Sequence, residues 1–243
     1  MSAIYKRELL SYFKSPIGYV FSAIFFAISG FCFVSTTVAA RSTNTSSYFA
    51  MVLLFFVILI PLLTMKLLSE EKKLGTEQLL LTSPVSLVGV VCAKFFAAFT
   101  IFALTLGVSS VINMLSLYDL AKTQEYVIAK MNLPTFMSCI LGVLLIGAAF
   151  IAIGLFVSSL TENQIIAAVV SIGVFALIMA SQAFAEGISN VYLRVVVKWF
   201  SVMDRFSGFQ RGIFDITALV YYISLTAVFL FLTVRVYEKR RWE

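Results

Sequence analysis

The chain has 243 residues, of which 61% are hydrophobic and only 12% are charged, with a formal net charge of +6. Soluble globular domains carry about 25% charged residues, so this composition excludes an ordinary soluble protein. The chain contains no histidine, the commonest general base and metal ligand, and it shows neither a nucleophile elbow nor a phosphate-binding loop. We therefore expect an integral membrane protein that is not itself an enzyme and binds no cofactor or metal.

Residues 1–16 form a basic amphipathic stretch that ends at Pro16. On a helical wheel the apolar and aromatic residues face the side opposite the basic ones, which predicts an elbow helix lying in the membrane interface. The interfacial residues of this helix are predicted to be Tyr5, Lys6, Arg7 and Phe13. The alternative is an ordinary positive flank of the first span.

Six apolar segments are long enough to cross a bilayer as helices. A helical span needs about 20 apolar residues, and these segments are too long for the strands of a membrane barrel. Their limits are approximately 17–39, 48–68, 88–115, 136–158, 164–184 and 217–236. The predicted fold class is all-α integral membrane, with six transmembrane helices in a single domain over residues 1–243.

A short polar segment, residues 69–86, separates the second and third spans. It is rich in charge, contains Gly75 and Pro84, and carries an apolar triplet at 79–81. This pattern predicts a short amphipathic helix at the membrane surface. The alternative is a solvated loop whose charge only keeps it out of the bilayer.

The segment 185–216, between the fifth and sixth spans, is too apolar for a free loop. Arg194, Lys198, Ser201 and Arg205 follow one another at spacings that place them on one helical stripe, among mostly apolar neighbours. We therefore expect residues near 190–204 to form a helix dipping into the outer leaflet. The three basic residues of that stripe would face headgroups or water.

The distribution of Lys and Arg predicts the orientation. Ten basic residues lie on the side that holds both termini and segment 69–86, against seven on the other side, so both termini are predicted to be cytoplasmic. No span has an acidic residue at its middle, which disfavours an ion-coupled transporter. Lys66, Lys94 and Arg235 lie near the inner ends of spans, where we expect them to snorkel to the surface.

Three stretches resemble one known family, the type-2 ATP-binding-cassette (ABC) exporter permeases. Residues 6–19 resemble its elbow helix, residues 70–85 its cytoplasmic coupling helix, and residues 206–215 together with the basic C-terminus resemble the branch containing the gliding-motility-associated permease. Leu74 departs mildly from that branch, which often has Thr before the Gly-Thr pair. The resemblance covers essentially the whole chain.

The resemblance implies a multi-pass protein of the bacterial plasma (inner) membrane, working as a second copy or paralogue pair with a cytoplasmic ABC ATPase that holds ATP and Mg. Membrane lipid and an accessory envelope protein are further expected partners, and nucleic acid is not. The implied ATPase contacts are Glu70, Glu71, Gly75, Thr76, Glu77, Leu79, Leu80 and Pro84. The alternative function is a structural scaffold that docks an ATPase without moving solute, and a self-contained channel is a weaker third.

Overall fold

The computed structural model describes residues 2–40, 45–73, 75, 86–123, 133–187, 192, 194, 197 and 201–242, and every regular element among them is helical. A π-helical turn, Val34–Val38, extends the second helix. The α-helices within these ranges are α1 Ser2–Lys14, α2 Pro16–Phe33, α3 Ser46–Thr64, α4 Lys66–Lys73, α5 Leu87–Thr123, α6 Leu133–Leu160, α7 Gln164–Gly187, α8 Val202–Gln210 and α9 Ile216–Trp242.

Six of these helical stretches are long and apolar enough to cross a membrane, which confirms the predicted fold class. Helices α3 and α4 together make up the second span, and short helices α1 and α8 lie outside the set. The six stretches are Pro16–Val38, Ser46–Lys73, Leu87–Tyr118, Leu133–Leu160, Gln164–Ala185 and Ile216–Arg241.

Helix α6 is the centre of the bundle, and its small residues allow its neighbours to approach closely. A Cβ at Gly147 would lie 2.2 Å from the ring of Phe102 on α5, and one at Gly154 would lie 2.3 Å from Thr64 Oγ1 on α3. Small residues let membrane helices pack backbone to backbone. Gly147 and Gly154 are therefore positions at which α6 packs closely against α5 and α3.

Helix α1, helix α4 and the C-terminal end of α9 lie at one end of the bundle. Arg7 on α1 approaches Glu71 on α4, with 3.5 Å between Nη2 and Oε1, and Arg240 on α9 donates to the carbonyl of Ser159 at the end of α6. Helix α8 lies at the opposite end, where Ser46 Oγ, at the start of α3, donates to the Gln210 carbonyl at 3.2 Å. The structure thus places both termini beside the end of the second span.

The segment before the last span differs from the sequence prediction of one helix over 190–204. Ser201 has an extended backbone (φ −70°, ψ 114°) and its side chain accepts a hydrogen bond from the amide of Asp204, so it is the N-cap of a new helix, α8. Serine competes for backbone amides in this way and so favours helix starts. The prediction of a continuous basic stripe through Ser201 is wrong.

The residues expected on that stripe have separate surroundings. Arg194 is helical and half-buried, Lys198 lies outside the described residues, and the Arg205 guanidinium stacks 4.0 Å from the ring centroid of Tyr221 on α9. Helix α8 packs inward, since a Cβ at Gly142 on α6 would lie 2.9 Å from the ring of Phe206. Helix α8 is thus anchored to the bundle and is not a free outer loop.

The orientation is testable by cysteine labelling of intact cells, in a background where Cys32, Cys92 and Cys139 are replaced by Ala. Cysteines at exposed positions Ser47 and Arg211 should react with an impermeant reagent, because the basic residues concentrate at the other end. Cysteines at exposed positions Lys73 and Glu162 should react only after the membrane is opened. The reverse pattern would contradict cytoplasmic termini.

Candidate functional site

The helix of the second span is interrupted at Met65, the single residue between α3 and α4. The Met65 amide still donates to the Pro61 carbonyl at 2.8 Å, which keeps the two helices joined. Pro61 lacks an amide hydrogen and weakens the helical ladder around it. The first amides of α4 lack partners within their own helix, so a side chain of a neighbouring helix can bind them. We call residues 64–69 the joint.

Ser158 on α6 binds the joint with three hydrogen bonds. Its Oγ accepts from the amides of Leu68 at 3.2 Å and Ser69 at 3.1 Å, and it donates to the Met65 carbonyl at 3.1 Å. These are backbone groups at the start of a helix, where intrahelical partners run out. The fully buried hydroxyl of Ser158 thus replaces part of the ladder and fixes α4 to α6.

Lys94 on α5 lies on the other side of the joint, with its side chain only 1% exposed. Its Nζ donates to the Leu67 carbonyl at 2.9 Å and to Glu71 Oε1 at 2.8 Å, and it lies 3.4 Å from Glu8 Oε1 on α1. A buried ammonium is tolerated only when it is paired and hydrogen-bonded. Two carboxylates and one carbonyl meet that requirement.

Arg7 completes the cluster from the exposed side. Its Nη2 donates to Glu8 Oε1 at 2.8 Å and lies 3.5 Å from Glu71 Oε1. The hydrogen bond to Glu8 raises the pKa of the Arg7 guanidinium, which therefore stays charged. Arg7, Glu8, Glu71 and Lys94 form a set with two charges of each sign, and we call it the inner ion cluster.

Two tyrosines fix α1 beside this cluster. Tyr5 OH is hydrogen-bonded to Thr100 Oγ1 on α5 at 2.9 Å, and Tyr12 OH donates to the Leu63 carbonyl of α3 at 2.9 Å. Burial, with a smaller contribution from the Glu8 charge, raises the pKa of the Tyr12 phenol, so it remains a donor. Helix α1 is thus bound to α3 and α5 by its aromatic side.

The predicted elbow residues therefore divide between two sides of α1. Tyr5 faces the bundle, Arg7 reaches Glu71, and Lys6 and Phe13 are exposed, with Phe13 at 46%. This arrangement fits a helix whose one face packs on protein while the opposite face meets the membrane interface.

The implied ATPase contacts are only partly within the described residues. Glu70 is half-exposed and lies 3.7 Å from Lys66 on the same helix, whereas Glu71 points into the inner ion cluster. Gly75 has φ +68°, a left-handed conformation that glycine adopts readily after a helix end. Thr76, Glu77, Leu79, Leu80 and Pro84 lie outside the described residues.

Sequence reasoning missed the roles of Lys94, Glu8 and Ser158. The expectation that Lys94 snorkels to the surface is wrong, because its ammonium is buried between α1 and α4. A signal was present: Lys94 lies two turns inside a long apolar helix, where a charge by default has a protein partner. Ser158 gave no such signal, since one serine on a helix of small residues looks like packing.

The arrangement can transmit movement, because α4 cannot shift without breaking contacts to three other helices. Ser158 ties it to α6, Lys94 ties it to α5, and Arg7 ties it to α1. Among the described residues no group of three or more metal-ligating side chains occurs. The fold and this joint define a polytopic helical membrane protein. Its second span ends in a polar helix, α4, that is held by contacts with three neighbouring helices.

Comparison with known families agrees with this class. The chain matches the family described as ABC-2 family transporter protein over residues 33–237, which is well over half of its length. It therefore belongs to this family and is a multi-pass permease subunit of an ABC transporter, the part that is not itself the ATPase. No curated protein sequence matches the chain significantly.

Adjacent glutamates allow a matched test of the inner ion cluster. Glu71→Gln should destabilise the purified protein by about 1–3 kcal/mol, because the buried Lys94 loses its closest charged partner. Glu70→Gln should cost at most about 0.5 kcal/mol, because it removes only an exposed pair with Lys66. Thermal unfolding in detergent measures both, and equal losses would show that Lys94 does not depend on Glu71.

Proposed function

We propose that this chain is the membrane subunit of an ATP-driven exporter in which residues 69–86 receive movement from a separate cytoplasmic ATPase. The ABC-2 family implies an ABC ATPase as partner. The observation that carries the proposal is the joint, which together with Glu71 connects the start of this segment to α1, α5 and α6. A push on the segment therefore moves several spans together.

Residues 69–86 divide into two parts with different roles in this proposal. Helix α4 up to Lys73 is the anchored part, held by the contacts of Glu71 and Lys72 with the bundle. Gly75 redirects the chain with its left-handed backbone. The following residues, with Leu79 and Leu80 as apolar anchors, dock into a groove on the ATPase, since interface energy concentrates in a few buried apolar side chains.

The oligomeric state, the membrane, the orientation and the branch of the family are proposed from the sequence resemblance. The chain works as a homodimer or with a paralogue, in a bacterial inner membrane with cytoplasmic termini, and it belongs to the branch containing the gliding-motility-associated permease. The ten-to-seven distribution of basic residues supports the orientation. The ATPase supplies ATP and Mg, and this chain contributes only the transmitting segment and the pathway.

The test compares a docking residue with an exposed neighbour. Leu80→Asp should release the ATPase from the purified complex and abolish the stimulated part of its turnover, because a charge cannot enter an apolar groove unpaired. Lys73→Ala is the control, since Lys73 is exposed on α4. Lys72 is unsuitable as a control, because its Nζ donates to the Ser159 carbonyl at 2.5 Å.

The measurements are the amount of ATPase that co-elutes with each variant and the ATP turnover of each complex. If Leu80→Asp keeps both at the level of Lys73→Ala, the docking role of the segment is wrong. If the wild-type complex hydrolyses ATP at a rate that no envelope component changes, the chain is a scaffold that docks an ATPase without moving solute.

A further inference from the structure

The four charged groups of the inner ion cluster are joined by two short contacts and two longer ones. Lys94 Nζ lies 2.8 Å from Glu71 Oε1, and Arg7 Nη2 lies 2.8 Å from Glu8 Oε1. The longer contacts join the same four atoms: Lys94 Nζ lies 3.4 Å from Glu8 Oε1, and Arg7 Nη2 lies 3.5 Å from Glu71 Oε1. We call the two longer contacts the crossed pairing, and each is less than 1 Å longer than the short contacts.

The two pairings connect the helices differently. In the observed pairing, the contact of Lys94 with Glu71 ties α4 to α5, while Arg7 and Glu8 are neighbours on α1. In the crossed pairing, Lys94 with Glu8 ties α1 to α5, and Arg7 with Glu71 ties α4 to α1. An exchange between the pairings therefore transfers α4 from α5 to α1 and leaves every charge with a partner.

Glu71 is placed to make this exchange because it lies beyond the joint. A side chain of α6 holds backbone amides of the joint, and Lys94 binds the Leu67 carbonyl within it at 2.9 Å. A tilt of the last part of α4 about the joint therefore moves the Glu71 carboxylate while Lys94 keeps the Leu67 carbonyl. The long, flexible side chain of Lys72 can follow this tilt without releasing the Ser159 carbonyl.

Burial makes a second carboxylate necessary for any such movement. The side chain of Lys94 is 1% exposed, and those of Glu8 and Glu71 are 14% and 16% exposed. A movement that only separated Lys94 from Glu71 would leave a buried ammonium without a carboxylate, which is strongly destabilising. Glu8 prevents this, because it stays within reach of Lys94. Arg7 is 61% exposed, so water solvates its charge during the exchange.

We infer that the inner ion cluster is a two-state switch in which Lys94 exchanges Glu71 for Glu8, and Glu71 pairs with Arg7, when the ATPase moves residues 69–86. Packed interfaces have discrete arrangements, so a shift below 1 Å at one site can select between two of them. The inference rests on the proposed function for the source of the movement. It adds that α4 is bound to α5 in one state and to α1 in the other.

Solid-state NMR of the full chain in lipid bilayers tests the exchange without the ATPase. The dipolar coupling between an isotope-labelled lysine nitrogen and a labelled glutamate carboxyl carbon falls with the cube of their distance, and Lys94→Met identifies the signals of Lys94. Glu71→Gln leaves Glu8 as the carboxylate beside Lys94, and Glu8→Gln leaves Glu71.

The switch predicts equal couplings at Lys94 in these two variants, because either carboxylate closes to hydrogen-bond distance once the other is gone. A weaker coupling in Glu71→Gln than in Glu8→Gln would overturn the switch, because Glu8 would then be fixed at its longer distance. Should Glu71→Gln not fold, a second measurement on Glu8→Gln alone still decides.

That second measurement is the ATP turnover of the complex. In Glu8→Gln the crossed pairing leaves Lys94 without a carboxylate, so turnover should fall by about tenfold or more while the amount of co-eluting ATPase stays at the wild-type level. Glu162→Gln is the matched control, since it removes the same charge from an exposed position at the same end of the bundle. It should leave turnover within about twofold of wild type.

Equal turnover in Glu8→Gln and Glu162→Gln would overturn the switch. Loss of the ATPase from Glu8→Gln would also overturn it, because Glu8 would then act in docking. The two proposals fail separately: if Leu80→Asp releases the ATPase but the couplings at Lys94 differ, the docking stands and the switch is wrong. If the couplings are equal but Leu80→Asp keeps the ATPase at full turnover, the docking of residues 69–86 is wrong.

Discussion

A charged group buried in a membrane bundle must find its partners inside the protein, and Lys94 imposes this constraint here. The idealised cost of moving one such ion from water to a low-dielectric medium is on the order of 20 kcal/mol, and several kcal/mol remain after relaxation. Its ammonium is satisfied by the Leu67 carbonyl, Glu71 and Glu8. These groups belong to α4 and α1, so the burial of one side chain on α5 determines where both helices lie.

A second set of buried polar contacts fixes the end of the second span. The spanning helix is interrupted at Met65, and a side chain from α6, Ser158, takes over backbone groups on both sides of the interruption. Gly154, one turn earlier on α6, permits this approach because a Cβ there would meet Thr64. The polar segment thus begins from a point fixed on three sides, as the proposed coupling to an ATPase requires.

The sequence was informative wherever one physical effect acted alone. Hydrocarbon thickness determines the length of a span, so the six spans were predicted correctly. Each span is set by one length requirement that a run of apolar residues satisfies by itself.

The sequence was uninformative where two distant segments compete for one group. Lys94 is equally able to snorkel to headgroups or to pair with Glu8 and Glu71, and only the packing of α1 and α4 decides between them. Ser201 fits the periodicity of a helix stripe, yet its hydroxyl binds the amide of Asp204 and starts a new helix. The helix predicted over 190–204 is interrupted by this local hydrogen bond, which the spacing of residues in the sequence does not predict.

Lys94 holds the inner end of the bundle together by charge pairing and not by packing, and a double substitution tests this role. Lys94→Met leaves Glu71 without its closest partner, whereas adding Glu71→Gln restores the charge balance and leaves Arg7 paired with Glu8 at 2.8 Å. Thermal unfolding of the purified chain should therefore show a higher melting temperature for the double variant than for Lys94→Met alone. A double variant as unstable as the two single losses added together would contradict the account.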